Sequence, residues 1–437
     1  MTERVEYIGY WFLPDNPDDK IAGRLIYSPN EEILLELIGG FNSKDNPVIA
    51  FLKKREKVTI IHGVTSDAKK ITLINCFAFG SINISVSFPV TKYHCQYMIV
   101  GALLSDVNEK CFDKIQVDFS GLSDWLHPKM IRQTIGFNEE KDSEETTFSM
   151  SLKDNFEIKV DVDDNTSILL INSFGLNQNE NKTIITLSQK TLCEISCANG
   201  KSSFYSLLSK AGMFQQFLSL AMLRTVTYSD VILYDNDNYQ EMRNSHKLIH
   251  PIQLYYKEYE IPEKKQKDTD FLFRHSDIKD IFPTIIKKWY NQIDIAPIRW
   301  HLIKSVHYKP IFDTVDFLVI VQALEGYHTR FMPQNFLHGK KKISLEQRMD
   351  EIITLFSDIK LVGEKKYDIK AIVDSRNYYS HFYKKQNDHK VLVGNDLFLL
   401  SKNVRLLLIC CVLQVIGFSN TEINEILNRC NNSMIKN

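Results

Sequence analysis

Phe317-Leu318-Val319-Ile320-Val321-Gln322-Ala323-Leu324-Glu325 is an apolar stretch whose inward residues recur at helical spacing. It lies in a segment, residues 312–327, that we predict to be one long helix. Segments with the same period follow it at residues 344–359, 367–383, 402–416 and 420–430. Residues 311–437 are therefore predicted to form an all-α bundle of four or five helices.

Capping signals mark where two of these helices begin and where one ends. Ser344-Leu345-Glu346-Gln347 and Ser419-Asn420-Thr421-Glu422 both have the form of a capping box, in which side chains bind the first backbone N–H groups of a helix. Gly417 follows the apolar run of the fourth helix and is predicted to end it, because glycine adopts the left-handed conformation of a helix C-terminus without strain.

The first half of the chain has the pattern of antiparallel β structure. Tyr7-Ile8-Gly9-Tyr10-Trp11-Phe12-Leu13 ends at the turn Pro14-Asp15-Asn16-Pro17. Similar short apolar or alternating runs, separated by Gly, Pro and Asn, continue to residue 187. A helical period at residues 204–223 then predicts one helix packed against this β structure.

The length of the chain, 437 residues, is enough for two or three domains with separate cores. We predict an α+β multidomain fold, in which a β-rich, sandwich-like region is followed by the all-α bundle. The change of period and a stretch rich in Lys and Glu around Pro262 set the boundaries. These are residues 1–255 for the β-rich region, 256–310 for a linker with connecting helices, and 311–437 for the bundle.

Composition limits the partners that the chain can bind. It has 53 Lys and Arg against 54 Asp and Glu, and this near neutrality excludes a uniformly basic surface for nucleic acid. A surface that binds polyanions must therefore be a local patch. The first residues do not form a secretory leader, and the apolar run Leu406 to Phe418 is too short to span a bilayer. We expect a cytoplasmic protein without a membrane partner.

The cysteines do not predict a metal centre. All eight are scattered through the chain, mostly in apolar contexts, as expected for reduced thiols. Cys193 and Cys197 have the spacing of half a zinc site, but no second pair of ligands follows them. We therefore expect neither a metal ion nor a cofactor.

Asp374-Ser375-Arg376-Asn377-Tyr378-Tyr379-Ser380-His381, in the third predicted bundle helix, carries side chains suited to cleaving RNA. Arg376 has a planar, permanently charged fork that fits a phosphodiester, and His381 can give and take a proton near neutral pH. Five positions correspond to about 140° around a helix, so the two side chains flank a groove. Asn377 shares a face with His381, where its amide can orient the imidazole or bind the phosphate. Lys384 and Lys385 add positive charge for RNA binding.

These groups suffice for RNA cleavage without a metal ion. His381 as general base would deprotonate a ribose 2′-OH, and Arg376 would stabilise the charge that develops on the phosphoryl oxygens. The substrate must be RNA, because DNA lacks the attacking hydroxyl. An Arg and a His five positions apart also occur by chance, so a structural role for both stays open. The bundle would then be a non-catalytic module that binds RNA or a protein, beside a β-sandwich that recognises a ligand.

The motif Arg-Asn-x3-His at residues 376–381, late in a helical bundle, resembles the signature of HEPN ribonuclease domains. Residues 317–325 resemble the first helix of that domain in the ApeA group. The β-rich half is similar to the ApeA N-terminal region in four places. These are Gly9-Tyr10-Trp11-Phe12-Leu13-Pro14, Gly23-x-Leu25, Ile61-His62-Gly63 and Leu122-x2-Trp125-Leu126. The resemblance spans nearly the whole chain.

The resemblance implies a bacterial anti-phage defence protein that acts by abortive infection. Such a protein stays inactive until a phage-encoded trigger protein activates it, and it then cuts host RNA, with tRNA as a candidate. Arg376 and His381 take the catalytic roles, and Asn377 supports them. Glu325 on the first helix can pair with Arg376 and hold its fork, although a solvated Glu at a helix end is an equal alternative. The resemblance also implies a homodimer through the C-terminal bundle.

Overall fold

The structure is a computed structural model. It describes residues 4–41, 57–79, 90–128, 131–140, 143–152, 156–181, 183–242, 247–257, 267, 270–306, 314–332, 337–338, 341–382, 384 and 388–436. The strands within these residues are β1 Val5–Leu13, β2 Asn16–Tyr27, β3 Ile33–Ile38, β4 Lys57–Thr65, β5 Lys70–Phe79, β6 Val90–Val100, β7 Lys114–Phe119, β8 Ile131–Glu140, β9 Ser143–Leu152, β10 Glu157–Asp161, β11 Thr166–Gln178, β12 Ile185–Cys197, β13 Tyr228–Tyr234, β14 Tyr239–Glu241, β15 Lys247–Ile249, β16 Ile252–Tyr256, β17 Leu337–His338 and β18 Lys341–Lys342. The α-helices are α1 Leu122–Leu126, α2 Phe204–Met222, α3 His275–Ile278, α4 Phe282–Asn291, α5 Ala296–Val306, α6 Thr314–Phe331, α7 Leu345–Leu355, α8 Lys360–Gly363, α9 Ile369–His381, α10 Gly394–Ile416 and α11 Asn420–Arg429.

The first six strands close into an antiparallel barrel in the order β6-β3-β2-β1-β4-β5, with β5 paired back to β6. The strand β6 closes the ring because it pairs on both edges: with β5 from Lys92 to Val100, and with β3 from Val90 to Cys95. The prediction of a β-rich N-terminal region is confirmed. The sandwich-like arrangement was wrong, because the strands that flank β6 wrap around one shared interior instead of forming two facing layers.

A single tryptophan fills much of the barrel interior. Trp11 on β1 is fully buried, and its ring lies against the main chain of Gly63 on β4. A Cβ at Gly63 would lie 2.3 Å from the ring, so no larger residue fits there without moving the tryptophan. Leu25, Leu35, Ile61, Leu73 and Met98 are among the buried residues of the same core.

An open sheet extends from the barrel at the second half of β6. Residues Tyr97–Val100 pair with β16, and the order continues as β13-β7-β12-β11-β10. Helices α1 and α2 cover this sheet, and Trp125 of α1 is buried edge-on against Phe217 of α2. The predicted helical turn around Trp125 and the predicted helix at residues 204–223 are both confirmed.

Helices α3, α4 and α5 join the open sheet to the C-terminal bundle. The ring N–H of Trp289 on α4 donates to the carbonyl of Met213 on α2, over 2.7 Å. Trp125 donates in the same way to Phe273, over 3.1 Å. One apolar core therefore runs from the open sheet into the bundle, whereas the barrel has a core of its own. The domain boundaries predicted from the sequence stay predictions.

The bundle is built around α10. Every residue from Val404 to Leu413 is buried, and α10 contacts α4, α5, α6 and α11. By length and composition alone this helix would be able to cross a membrane, and 72% of its most apolar stretch is buried inside the protein. A helix in the core of a protein contacts other elements on all sides, and it is therefore apolar around its whole circumference, as a membrane-spanning helix is.

The capping signals predict the helix ends well. Both capping boxes are formed, at Ser344 with Gln347 and at Ser419 with Glu422. Gly417 ends α10 with φ 117°, in the left-handed region, as predicted. α10 begins at Gly394, earlier than the predicted start at residue 402.

Candidate functional site

Helix α9 carries the motif at residues 376–381 and is anchored by its N-cap and by the buried residues that precede the motif. Its N-cap Asp368 accepts the N–H of Ala371 over 3.0 Å. The ammonium of Lys390 and this cap together lower the pKa of the Asp368 carboxyl, which keeps the cap charged. Ala371, Ile372 and Ser375 face the core. Arg376 lies at the edge of this core face, with about a quarter of its side chain exposed, and His381 is exposed at the end of the helix.

The chain after α9 folds back along the helix and holds it in place. Asp374 Oδ2 accepts the N–H of Lys390 over 2.7 Å, and Ser375 Oγ accepts that of Leu392 over 3.0 Å. Tyr379 donates its hydroxyl proton to the Leu392 carbonyl over 2.9 Å, so this side chain also holds the returning segment against α9. The motif is thus held on a rigid element rather than on a loop.

Helix α9 ends immediately after His381. Phe382 adopts the left-handed conformation with φ 55°, and its N–H donates to the Tyr378 carbonyl over 3.0 Å. As the last residue of the helix, His381 has an exposed side chain. A reactant can therefore reach its imidazole from solvent.

Arg376 is the centre of the site. Its Nη1 lies 2.9 Å from His381 Nε2 and 3.2 Å from Asn377 Oδ1. A guanidinium can only donate, so Nε2 must accept, and the neutral imidazole then carries its proton on Nδ1. Asn377 acts on the pair through this bond to Arg376, the residue next to it in the sequence.

Glu325 joins the site from α6. Its Oε2 accepts from Arg376 Nη2 over 3.3 Å, and both side chains are about three-quarters buried, with 22% and 26% exposure. This contact links residues 51 positions apart in the sequence. The four residues predicted as catalytic, Glu325, Arg376, Asn377 and His381, are therefore brought together.

Lys384 and Lys385 are the two residues predicted to bind RNA. Lys384 is exposed, three positions after His381. Lys385 lies outside the described residues. The positive charge of Lys384 is thus close in sequence to the motif, at the solvent-facing end of α9.

The structure gives no metal site in the part of the chain that it describes, where no three His, Cys, Asp or Glu side chains are grouped to hold an ion. Of the half zinc site considered from the sequence, Cys193 is fully buried in the sheet core. Burial raises the pKa of its thiol well above the usual value, which disfavours the thiolate that zinc requires.

The structure has a cleft next to Glu325 that the sequence did not predict. It has a volume of about 360 Å³ and lies between α6 and the start of α7. Its lining residues are Gln322, Glu325, Gly326, Thr329, Arg330, Ile343, Leu345 and Arg348. Residues 322, 325, 326 and 329 have helical spacing, so the sequence predicts that they share one face of α6. The spacing does not show whether this face packs in the core or lines a cleft.

Two family models match the chain, and they agree with this architecture. Residues 318–422, which hold the four clustered residues, match the Apea-like HEPN domain. Residues 6–289 match ApeA N-terminal domain 1, which covers more than half of the chain. The chain therefore belongs to the ApeA-like family, as its resemblance predicted. No curated protein and no solved structure matches it.

Family membership supplies a coarse function. HEPN domains are typically ribonucleases, which supports an endoribonuclease. The combination with the ApeA N-terminal domain indicates a nuclease or RNA-related role in defence.

Proposed function

We propose that the chain is an endoribonuclease that cleaves host RNA without a metal ion, with Arg376 and His381 carrying the reaction. The observation that supports this most directly is the 2.9 Å contact between Arg376 Nη1 and His381 Nε2 at the exposed end of α9. A cation for the phosphate and a base for the hydroxyl thus lie within one hydrogen bond of each other. That distance is short enough for both to reach one sugar–phosphate link.

The reaction begins when a phosphate replaces the imidazole as the acceptor of the Arg376 guanidinium. The lone pair of His381 Nε2 then takes the proton of the ribose 2′-OH. The 2′ oxygen forms a bond to phosphorus, and the bond from phosphorus to the 5′ oxygen breaks. The leaving oxygen takes up a proton from the imidazolium or from water. The products are a 2′,3′-cyclic phosphate and a 5′-hydroxyl.

The neighbours of Arg376 prepare it for the phosphate. Glu325 and Asn377 each accept one hydrogen bond from its guanidinium, which limits how far the fork can turn. A donor that is already oriented needs little reorganisation when charge develops on the phosphoryl oxygens. Lys384 adds charge that attracts the RNA backbone.

The setting proposed for this activity follows from the family. The protein would act in the bacterial cytoplasm as an abortive-infection toxin, with tRNA as the host substrate. The β-rich region would respond to a phage-encoded trigger protein. Two copies would form a homodimer through the C-terminal bundle and place two Arg/His pairs at one cleft.

The test compares His381→Ala and Arg376→Ala with the wild-type chain in the presence of EDTA. Each variant should lose at least about 100-fold in cleavage rate, because each removes one half of the reaction. Sequencing of RNA ends should find 2′,3′-cyclic phosphates only with active protein. His250→Ala, which removes an exposed histidine of the N-terminal region, is the matched control and should cleave normally. Full activity in either folded variant would exclude the assignment.

The second candidate is a non-catalytic HEPN module that binds RNA or a protein. The mutual pairing of Arg376 and His381 favours it, because paired side chains can also serve stability alone. It requires that wild-type protein binds its ligand but leaves RNA ends unchanged under every condition in which a trigger is supplied.

A further inference from the structure

Two cysteines face each other inside the barrel, at the pair of strands that closes it. Cys76 on β5 lies directly opposite Cys95 on β6, within the paired residues 71–79 and 92–100, which we call the barrel seam. Both are free thiols in the barrel core, with 0% and 1% exposure. The proposed cleavage uses neither of them.

A change of face in both strands brings the two thiols into the interior. Leu73 belongs to the barrel core, and strict alternation along β5 would place Cys76 on the opposite face. Asn75 has φ 52°, in the left-handed region, and interrupts this alternation. In β6, Cys95 and Met98 both belong to the barrel core although they are three positions apart. The change of face is therefore shared by the two strands.

The side chain of Asn75 holds the seam at this place. Its Nδ2 donates to Gln96 Oε1 on β6 over 2.8 Å and to the hydroxyl of Tyr205 on α2 over 3.1 Å. The first bond ties β5 to β6 next to the cysteines. The second ties the seam to the helix that covers the open sheet. The two thiols are thus opposed at an anchored point of the barrel.

The spacing of the two residues fits a disulfide. Directly opposite residues of an antiparallel pair have Cα atoms about 4.5–5.5 Å apart, and a disulfide accepts about 4.4–6.8 Å. The thiols are also in contact. Burial raises the pKa of Cys95 well above its usual value, and a hydrogen bond with the Cys76 thiol raises it further. A bond between the two sulfurs therefore needs little movement of the strands.

We propose that Cys76 and Cys95 are a redox site, at which hydrogen peroxide oxidises the two thiols reversibly to a disulfide that holds the barrel seam closed. The thiolate of one cysteine attacks the peroxide, the O–O bond breaks, and a sulfenic acid forms with the release of water. The second thiol loses its proton and bonds to the sulfenic sulfur, and a second water leaves. Two thiols are oxidised and one peroxide is reduced.

Burial determines when this site reacts. The thiolate is the reactive form, and the raised pKa of Cys95 leaves little of it in the closed barrel. Local opening of β5 from β6 exposes both thiols to solvent. The disulfide therefore forms fastest in chains whose seam opens, and it then ties the two strands together. This chemistry does not depend on the proposed RNA cleavage.

The test treats the folded full chain with hydrogen peroxide, blocks the remaining thiols with N-ethylmaleimide and maps the peptides by mass spectrometry. We expect one linked pair, Cys76 with Cys95, which has lost two hydrogen atoms and which dithiothreitol reverses. Cys410 and Cys411 are the matched control, because they are equally buried but are neighbours on one helix and do not face each other. They should stay unlinked.

A second arm repeats the reaction in urea below the unfolding transition, where the rate of linking should rise because the seam opens more often. The linked chain should also melt about 5 °C above the reduced chain, since the link restricts the unfolded state. Cys95→Ser should show no such shift after peroxide, and Cys76→Ser is the second variant if Cys95→Ser does not fold.

The absence of a link between Cys76 and Cys95, with and without urea, would exclude the redox site. A rate of linking that urea leaves unchanged would show that seam opening does not control the reaction. Equal melting temperatures of the linked and reduced chains would show that the disulfide does not hold the seam closed.

Discussion

At the scale of single residues, the site depends on where one guanidinium is held. Arg376 contacts a base, an amide and a carboxylate at the same time, through His381, Asn377 and Glu325. Glu325 has two opposite effects on the proposed reaction. Its negative charge repels the phosphate of the RNA, whereas its hydrogen bond orients Arg376. Its substitution therefore separates binding from chemistry.

Glu325→Gln should lower kcat and leave KM equal or lower. The ion pair with Arg376, in which both side chains are about three-quarters buried, is worth about 1 kcal/mol, so its loss should slow the reaction roughly fivefold. Removing the negative charge beside the phosphate should at the same time favour RNA binding. Steady-state cleavage kinetics measure both effects, with Glu364→Gln, an exposed glutamate on the loop after α8, as the control. An unchanged kcat would mean that Glu325 does not position Arg376.

At the scale of elements, the barrel depends on a close contact between β1 and β4. The ring of Trp11 occupies the space that a side chain at position 63 would need. A buried indole cannot move aside easily, because protein interiors are packed as densely as organic crystals. This contact explains why Gly63 stands within strand β4, where glycine is otherwise unfavourable.

Gly63→Ala should lower the free energy of unfolding by about 2–3 kcal/mol through overpacking. Gly212→Ala is the opposite control, because Gly212 lies inside α2 and its added methyl would meet Tyr228 Oη at an ordinary 3.5 Å. Alanine in a helix interior should stabilise by about 0.5–1 kcal/mol. Denaturant melts of the two variants should therefore shift in opposite directions. A Gly63→Ala chain as stable as wild type would show that the barrel interior is not tightly packed.

At the scale of the whole molecule, the joint between sheet and bundle is a shared core. Trp289 of α4 packs edge-on against Phe217 of α2, with ring centres 5.5 Å apart. Phe273 contacts Phe217 on one side and Phe418 of the bundle on the other. A change in the open sheet therefore has a direct packing route to the C-terminal bundle.

His275 makes this joint sensitive to acid. Its ring packs edge-on against Trp125 and Phe282, and burial, with help from Lys279, lowers its pKa to about 4. The unfolded chain binds that proton with a pKa of about 6.5. The contribution of a neutral His275 is therefore complete above pH 6.5 and is lost as the pH falls towards 4.

Wild-type protein should lose about 3 kcal/mol of unfolding free energy across this pH range from His275 alone. His275→Phe keeps an aromatic ring between Trp125 and Phe282 but has no proton to bind. Its stability should fall less steeply between pH 6.5 and 4 in denaturant melts. Parallel curves for the two proteins would show that His275 is protonated without cost in the folded state.

The sequence alone determined those features that depend on contacts between residues close together in the chain. Helical period, both capping boxes and the end of α10 at Gly417 depend on contacts within a few positions, so each could be predicted from its own segment. The motif from Arg376 to His381 and the resemblance to the ApeA group were visible for the same reason.

Tertiary structure decided everything that joins distant segments. β6 closes the barrel because β3 and β5, which lie in different parts of the chain, pair with its two edges, and no local pattern records which pairings are formed. The bond from Glu325 to Arg376 and the cleft with Arg348 likewise arise where α6, α7 and α9 meet. Such contacts depend on the summed packing of the whole core, whereas periodicity reports only which face of each element is apolar.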